Sequence, residues 1–198
     1  EPADEYTYDP ENPTPSAGFQ NGHIDGPRDI SGSEAREDVL VYTTEVLQED
    51  VDVIGPITAK LFASTSARDT DWMMRLSDVQ PDGRALFLAE GLMRAKHRDP
   101  GRGGAYDPGK LSEIEPGKAY AYEIEFYRTT ANRFAAGHRI RVEISSSYYP
   151  YFLRNLNSGE ENVALATKSV PARQTIYHDA GRASHVVLPL IPVRGAGG

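Results

Sequence analysis

Four short stretches carry side chains capable of chemistry. His178-Asp179 and Ser184-His185 hold the three residue types of a nucleophilic triad, which needs serine, histidine and carboxylate within hydrogen-bond reach of one another. Asp69-Thr70-Asp71-Trp72 offers two carboxylates for acid–base work and an indole that can stack on a sugar. Tyr148, Tyr149, Tyr151 and Phe152 follow Ser145-Ser146-Ser147 as an aromatic group suited to a binding platform. His23 and Asp25 sit in a Gly-rich stretch, where loops on rigid scaffolds often carry function. Each has a plainer reading. Asp at a strand entrance and Asp or Asn in a loop are ordinary turn chemistry. Trp72 fits a core or a domain interface. The tyrosines fit a loop folded onto a core edge, with rings buried and hydroxyls wet.

Other catalytic signatures are missing from the sequence. It has no Gly-x-Ser-x-Gly elbow to expose a serine, no Ser-x-x-Lys pair and no His-Glu-x-x-His zinc helix. Gly101-Arg102-Gly103-Gly104 does not match a dinucleotide loop. Cys is 0, which removes thiol nucleophiles, disulfides, Cys-ligated zinc and iron–sulfur clusters, and favours a reducing compartment such as the cytoplasm. The charge of −8 and the scattered Lys and Arg argue against nucleic acid as a partner. No apolar run reaches the length of a membrane span. The polar opening Glu1-Pro2-Ala3-Asp4 does not begin with Met, which suggests a piece of something longer.

The elements that must position these groups read as strands. Gly 18 and Pro 14 fall between apolar runs, as turns do in an all-β protein. Tyr120, Tyr122, Ile124 and Phe126 alternate with Ala121, Glu123, Glu125 and Tyr127, and a period of two predicts a half-buried strand. Ile57, Ala59, Leu61 and Ala63 share one face of another. Ile140, Val142 and Ile144 point inward from a third, with Arg139, Arg141 and Glu143 outward; Arg139 and Arg141 read as a solvated face. Residues 38–44 read as a strand buried on both faces. Gln80-Pro81-Asp82-Gly83 predicts a turn joining the Trp72 strand to Arg84–Arg94 as a hairpin. The expected architecture is an all-β jelly-roll sandwich of about eight strands with long loops. Residues 1–37 form an extended arm and loop, 38–192 the sandwich and 193–198 a disordered tail.

Several stretches together resemble one family. They are residues 38–44 with Val53-Ile54-Gly55-Pro56, and Asp69 through Asp78-Val79 to Pro81-Asp82-Gly83-Arg84-Ala85. Gly137-His138-Arg139-Ile140-Arg141-Val142 leads to Tyr149-Pro150, then Asn155 to Gly159, and Ser184-His185-Val186-Val187-Leu188-Pro189 closes the set. In this order they resemble the C-terminal domain of the X-Pro dipeptidyl-peptidase family (S15), which includes the cocaine esterases, α-amino-acid ester hydrolases and glutaryl acylases. The resemblance implies a jelly roll without catalytic residues or cofactor. It implies a parent bacterial serine hydrolase whose triad and oxyanion hole lie in an upstream α/β-hydrolase domain. That domain and a helical cap are the implied partners, and this domain would help wall their acyl pocket. In relatives an apolar residue before an Asn-Gly-rich loop lines that pocket, which carries over to Phe19 and, beside it, Asn21. Trp72, Tyr148, Tyr149 and Tyr151 remain candidates for an interface or for carbohydrate binding. A domain separated from its neighbour exposes apolar surface, so self-association is expected.

Overall fold

The computed structural model describes residues 1–16, 28–99, 111–127 and 130–192. Its strands run in chain order from β1 (Asp4–Tyr8) through the short helix α1 (Ser31–Glu34) to β2 (Leu40–Thr43), β3 (Val51–Gly55), β4 (Thr58–Thr65), β5 (Asp71–Val79) and β6 (Ala85–Arg94). They continue with β7 (Tyr120–Tyr127), β8 (Thr130–Phe134), β9 (Arg139–Ser145), β10 (Ala172–Tyr177), β11 (His185–Val187) and β12 (Leu190–Ile191). Eight strands follow one antiparallel path, β1-β10-β4-β7-β6-β5-β9-β2, and β11 adds to β4. A small second sheet runs β12-β3-β8. The path is nearly closed, and it gives the jelly-roll sandwich that the sequence predicts.

The path turns from one layer to the other between β6 and β7, which share only the pairs Glu90↔Tyr127 and Gly91↔Phe126. Gly91 makes this corner possible. A Cβ there would lie 2.9 Å from the Glu125 carbonyl oxygen and 2.9 Å from Ile124 Cγ2. Between the layers, Ile57, Ala59, Leu61 and Ala63 are all buried, as their spacing predicts. Tyr122, Ile124 and Phe126 meet Trp72, Met74 and Leu76 in the same core. The predicted hairpin is present: β5 pairs with β6, and Gly83 at φ +92° closes the turn with its N–H on the Gln80 carbonyl at 2.9 Å.

Three expectations need correction. The arm is not separate from the sandwich, because β1 pairs along its whole length with β10 and buries Tyr6 and Tyr8 in the core. Residues 38–44 do not form a strand buried on both faces; β2 ends the path, with Tyr42 and Thr43 exposed. Nor is the outer face of β9 solvated. All nine residues of β5 are buried, and the neighbouring Glu143 is fully buried too. The arm covers that face. The Phe87 N–H donates to the Arg28 carbonyl at 2.7 Å, Ile30 N–H to the Ala85 carbonyl at 2.8 Å, and Ile30 packs on Val79 and Ala85. The tail 193–198 lies outside the described residues.

Candidate functional site

The Asp69–Trp72 stretch and the Asn155–Gly159 stretch meet at the mouth of β5. Asn155 Nδ2 donates to Asp69 Oδ2 and to Asp71 Oδ1, both at 2.9 Å. Arg94 grips the Asp71 carboxylate through Nε at 2.8 Å and Nη2 at 2.9 Å, a bidentate pair. Burial pushes Asp69 up to about 6, with the Asn155 bond opposing and the Asp71 charge adding. Both carboxylates are shut away from water, so the pair serves as a structural lock and reaches no surface substrate. Asn155, which holds both carboxylates through one amide, was not singled out individually from the sequence; only its place in the family-like stretch marked it. Trp72 is no stacking platform. It is fully buried, with its ring 5.6 Å from that of Tyr122.

His178, Ser184 and His185 do share one wall, that of an apolar cleft of about 620 Å³ floored by Leu61, Met74, Ile144 and Ile176. Their hydrogen bonds point elsewhere. Ser184 Oγ donates to the Tyr177 carbonyl at 2.5 Å and accepts from the Phe62 N–H at 2.9 Å. His178 Nε2 donates to Asp4 Oδ2 at 3.2 Å, and His185 Nδ1 to the Ala183 carbonyl at 2.7 Å. Asp179 is taken by Arg182 at 2.9 Å, which holds its carboxyl below the usual range. Ser184 therefore staples β4 to the segment after β10, and no serine–histidine–carboxylate relay links these groups. Among the described residues, no group of three or more His, Asp or Glu is placed to hold a metal ion. No helix among them is long and apolar enough to cross a membrane.

The aromatic group divides in two. Tyr148 is fully buried, with the Arg75 guanidinium 3.3 Å from its ring centroid, so it belongs to the covered outer face of β5. Tyr149 and Tyr151 stand 43% and 42% exposed beside Leu153 at 52%. The Tyr151 ring meets Phe152 edge-on at 4.6 Å, and Phe152 lies 6.0 Å from Tyr127. This patch is joined to the arm: Tyr149 N–H donates to the Thr14 carbonyl at 3.0 Å, and Ser16 N–H to the Tyr149 carbonyl at 2.8 Å. Ser16 leads directly into the stretch holding Phe19, Asn21, His23 and Asp25, all of which lie outside the described residues.

Comparison with known proteins places this arrangement. Residues 2–187 match the X-Pro dipeptidyl-peptidase C-terminal non-catalytic domain. The chain belongs to that family. It is 41% identical over 200 residues to a cocaine esterase of Rhodococcus sp. (strain MB1 Bresler), covering 96% of this chain and 33% of the esterase. Among solved structures, an aminopeptidase from a marine-sediment Thaumarchaeota archaeon superposes with a TM-score of 0.86 at 28% identity. An α-amino acid ester hydrolase does so with a TM-score of 0.86 at 25% identity. Each match covers 96% of this chain and 33% of the larger protein. This non-catalytic domain thus spans about one third of the length of the enzymes it matches.

Proposed function

We propose that this non-catalytic domain works inside a serine hydrolase that cleaves acyl esters, amides or X-Pro peptides. There it would pack on an α/β-hydrolase domain and a helical cap and shape the acyl pocket through Phe19 and Asn21. In such an enzyme the hydrolase domain supplies serine, histidine base and oxyanion donors. The domain's contribution is exclusion of water and a wall for the acyl group. The observation that carries this reading is the match to enzymes three times as long, beside a Ser184 whose hydroxyl is spent on backbone groups. The exposed aromatic patch joined to the arm at Thr14 and Ser16 supports a docking face there. The test is Phe19→Ala in the parent enzyme, assayed across acyl esters of increasing chain length. A change in kcat/KM graded with acyl size is expected. Unchanged kinetics over the series would overturn the pocket role.

The exposed rings of Tyr149 and Tyr151 favour one other reading, a carbohydrate- or ligand-binding jelly-roll module. Glycan-array binding lost in Tyr149→Ala would select it over the accessory role.

A further inference from the structure

The covered outer face of β5 and β9 encloses a group of charges that the function above does not use. Glu90, Arg75 and Glu143 lie side by side across β6, β5 and β9, in register. Glu34 reaches in from α1 and is ion-paired through Oε2 with Arg141 of β9. Arg75 Nε lies 3.5 Å from Glu90 Oε2, and the rings of Tyr148 and Phe87 cover its guanidinium at 3.3 and 5.9 Å. The arm's other charged pair, Arg36 and Asp38, is closed on itself at 2.6 Å. Three carboxyl groups therefore share this space with two guanidiniums.

The hydrogen bonding is incomplete in one place. Both carboxyl oxygens of Glu143 and Oε1 of Glu34 are buried with no hydrogen-bond donor among the described residues. Glu34 is held on Arg141, two residues from Glu143 on the same face of β9, so the two carboxyls are neighbours. Two ionised carboxylates are acceptors only and cannot bond to one another. One proton placed between them changes this: it makes an O–H···O⁻ bond, a strong charge-assisted type, and evens the charge with the two arginines. We propose that Glu34 and Glu143 hold a shared proton as a latch that ties the arm of residues 28–39 to the sheet, and that loss of this proton to solvent frees the arm. Burial pushes the Glu143 carboxyl well above the usual carboxylate range, Arg75 and Arg141 oppose the rise, and Glu34 adds to it. The proton is therefore held past the range in which an exposed glutamate loses it, and leaves as the pH rises further.

Amide hydrogen exchange of residues 28–39, corrected for intrinsic rates, reads the latch directly from about pH 6 to about pH 9. In the wild type, opening releases one proton while the closed arm still holds it and the opened arm does not, so protection of these amides should fall about tenfold per pH unit from about pH 6 up to the titration and level off above it. The amides of β7, in the core, should not follow. Glu143→Gln, which carries the neutral form permanently, should keep the arm protected throughout; Glu34→Gln should flatten the profile as well. Flat wild-type protection, or the same fall in both variants, would overturn the latch. Should neither variant fold, carbon-13 titration of the wild-type glutamate carboxyls decides: one carboxyl titrating near neutral pH or above supports it, and all titrating below about pH 6 refutes it.

Discussion

Replacing Asn155 by alanine removes one amide from between two buried carboxylates, and its cost follows from the contacts. Two hydrogen bonds to Asp69 and Asp71 are lost, together with the bond from the Asn157 N–H to Asn155 Oδ1 at 2.9 Å. A hydrogen bond to a charged group contributes about 1.5–3 kcal/mol, so the two carboxylate bonds set the expected loss at about 3–6 kcal/mol near pH 7.5. The pH dependence separates this from a simple cavity. Asp69 is raised from 3.8 to about 6 in the fold, so its ionisation opposes folding. That cost is absent below about pH 4, grows with rising pH and is complete above about pH 6. Near pH 4.5 a protonated Asp69 can donate to Asp71, so the Asn155→Ala loss should shrink by about 1 kcal/mol or more. Asn155→Asp, with a third carboxylate in the same space, should be worse at pH 7.5 and recover more strongly on acidification. Urea melts of the three proteins at the two pH values measure all of this. A loss below about 1 kcal/mol, or the same loss at both pH values, would show that the lock is packing rather than charge compensation.

Gly91→Ala should lower stability by about 1–3 kcal/mol with no change in m-value, because its Cβ meets backbone at the corner between the layers; an unchanged urea midpoint would mean that the corner relaxes freely. The purified chain should neither hydrolyse esters nor take up a fluorophosphonate label, since Ser184 is bonded to backbone on both sides. Stoichiometric labelling of one serine would expose a nucleophile that the hydrogen bonds do not suggest. Sedimentation should reveal self-association of the isolated chain, weakened by Tyr151→Ser and Leu153→Ser in the exposed patch. A clean monomer at high concentration would count against that patch as an interface.

What could be seen from the sequence was what depends on neighbours along the chain. Alternation fixed the faces of β4 and β7, and Gln80-Pro81-Asp82-Gly83 located a turn, because both signals are complete within a few residues. β1 was missed for the opposite reason. Tyr6 and Tyr8 do alternate, but their partner strand begins at Ala172, and the prolines around them spoke for an arm. β3 and β8 were missed as well; they are short and pair mainly with each other. Arg141 and Glu143 show why polarity alone misleads. A polar outer face looks the same in sequence whether water or another segment of the chain covers it, and here an arm does.

The same reasoning sorts the candidate sites. The absence of a nucleophile elbow could be read directly, since such a motif is contiguous. The roles of Trp72 and Tyr148 could not, because an aromatic ring gives equal promise as platform or core until burial is known. Asp69 and Asp71, the carboxylates that looked most chemical, ended inside, held by Asn155 from the loop after β9; Arg75 and Glu143 are buried as well, with Tyr148 from the aromatic turn over the Arg75 guanidinium. Separate backbone bonds tie the segments flanking residues 17–27 to the sandwich: Tyr149 N–H to the Thr14 carbonyl, Ser16 N–H to the Tyr149 carbonyl, Phe87 N–H to the Arg28 carbonyl and Ile30 N–H to the Ala85 carbonyl. A domain without catalytic groups has a physical reason to keep such buried polar locks. They fix the flanking segments more narrowly than apolar packing would, as the proposed pocket role of Phe19 and Asn21 requires, since small misplacements near reacting groups change rates.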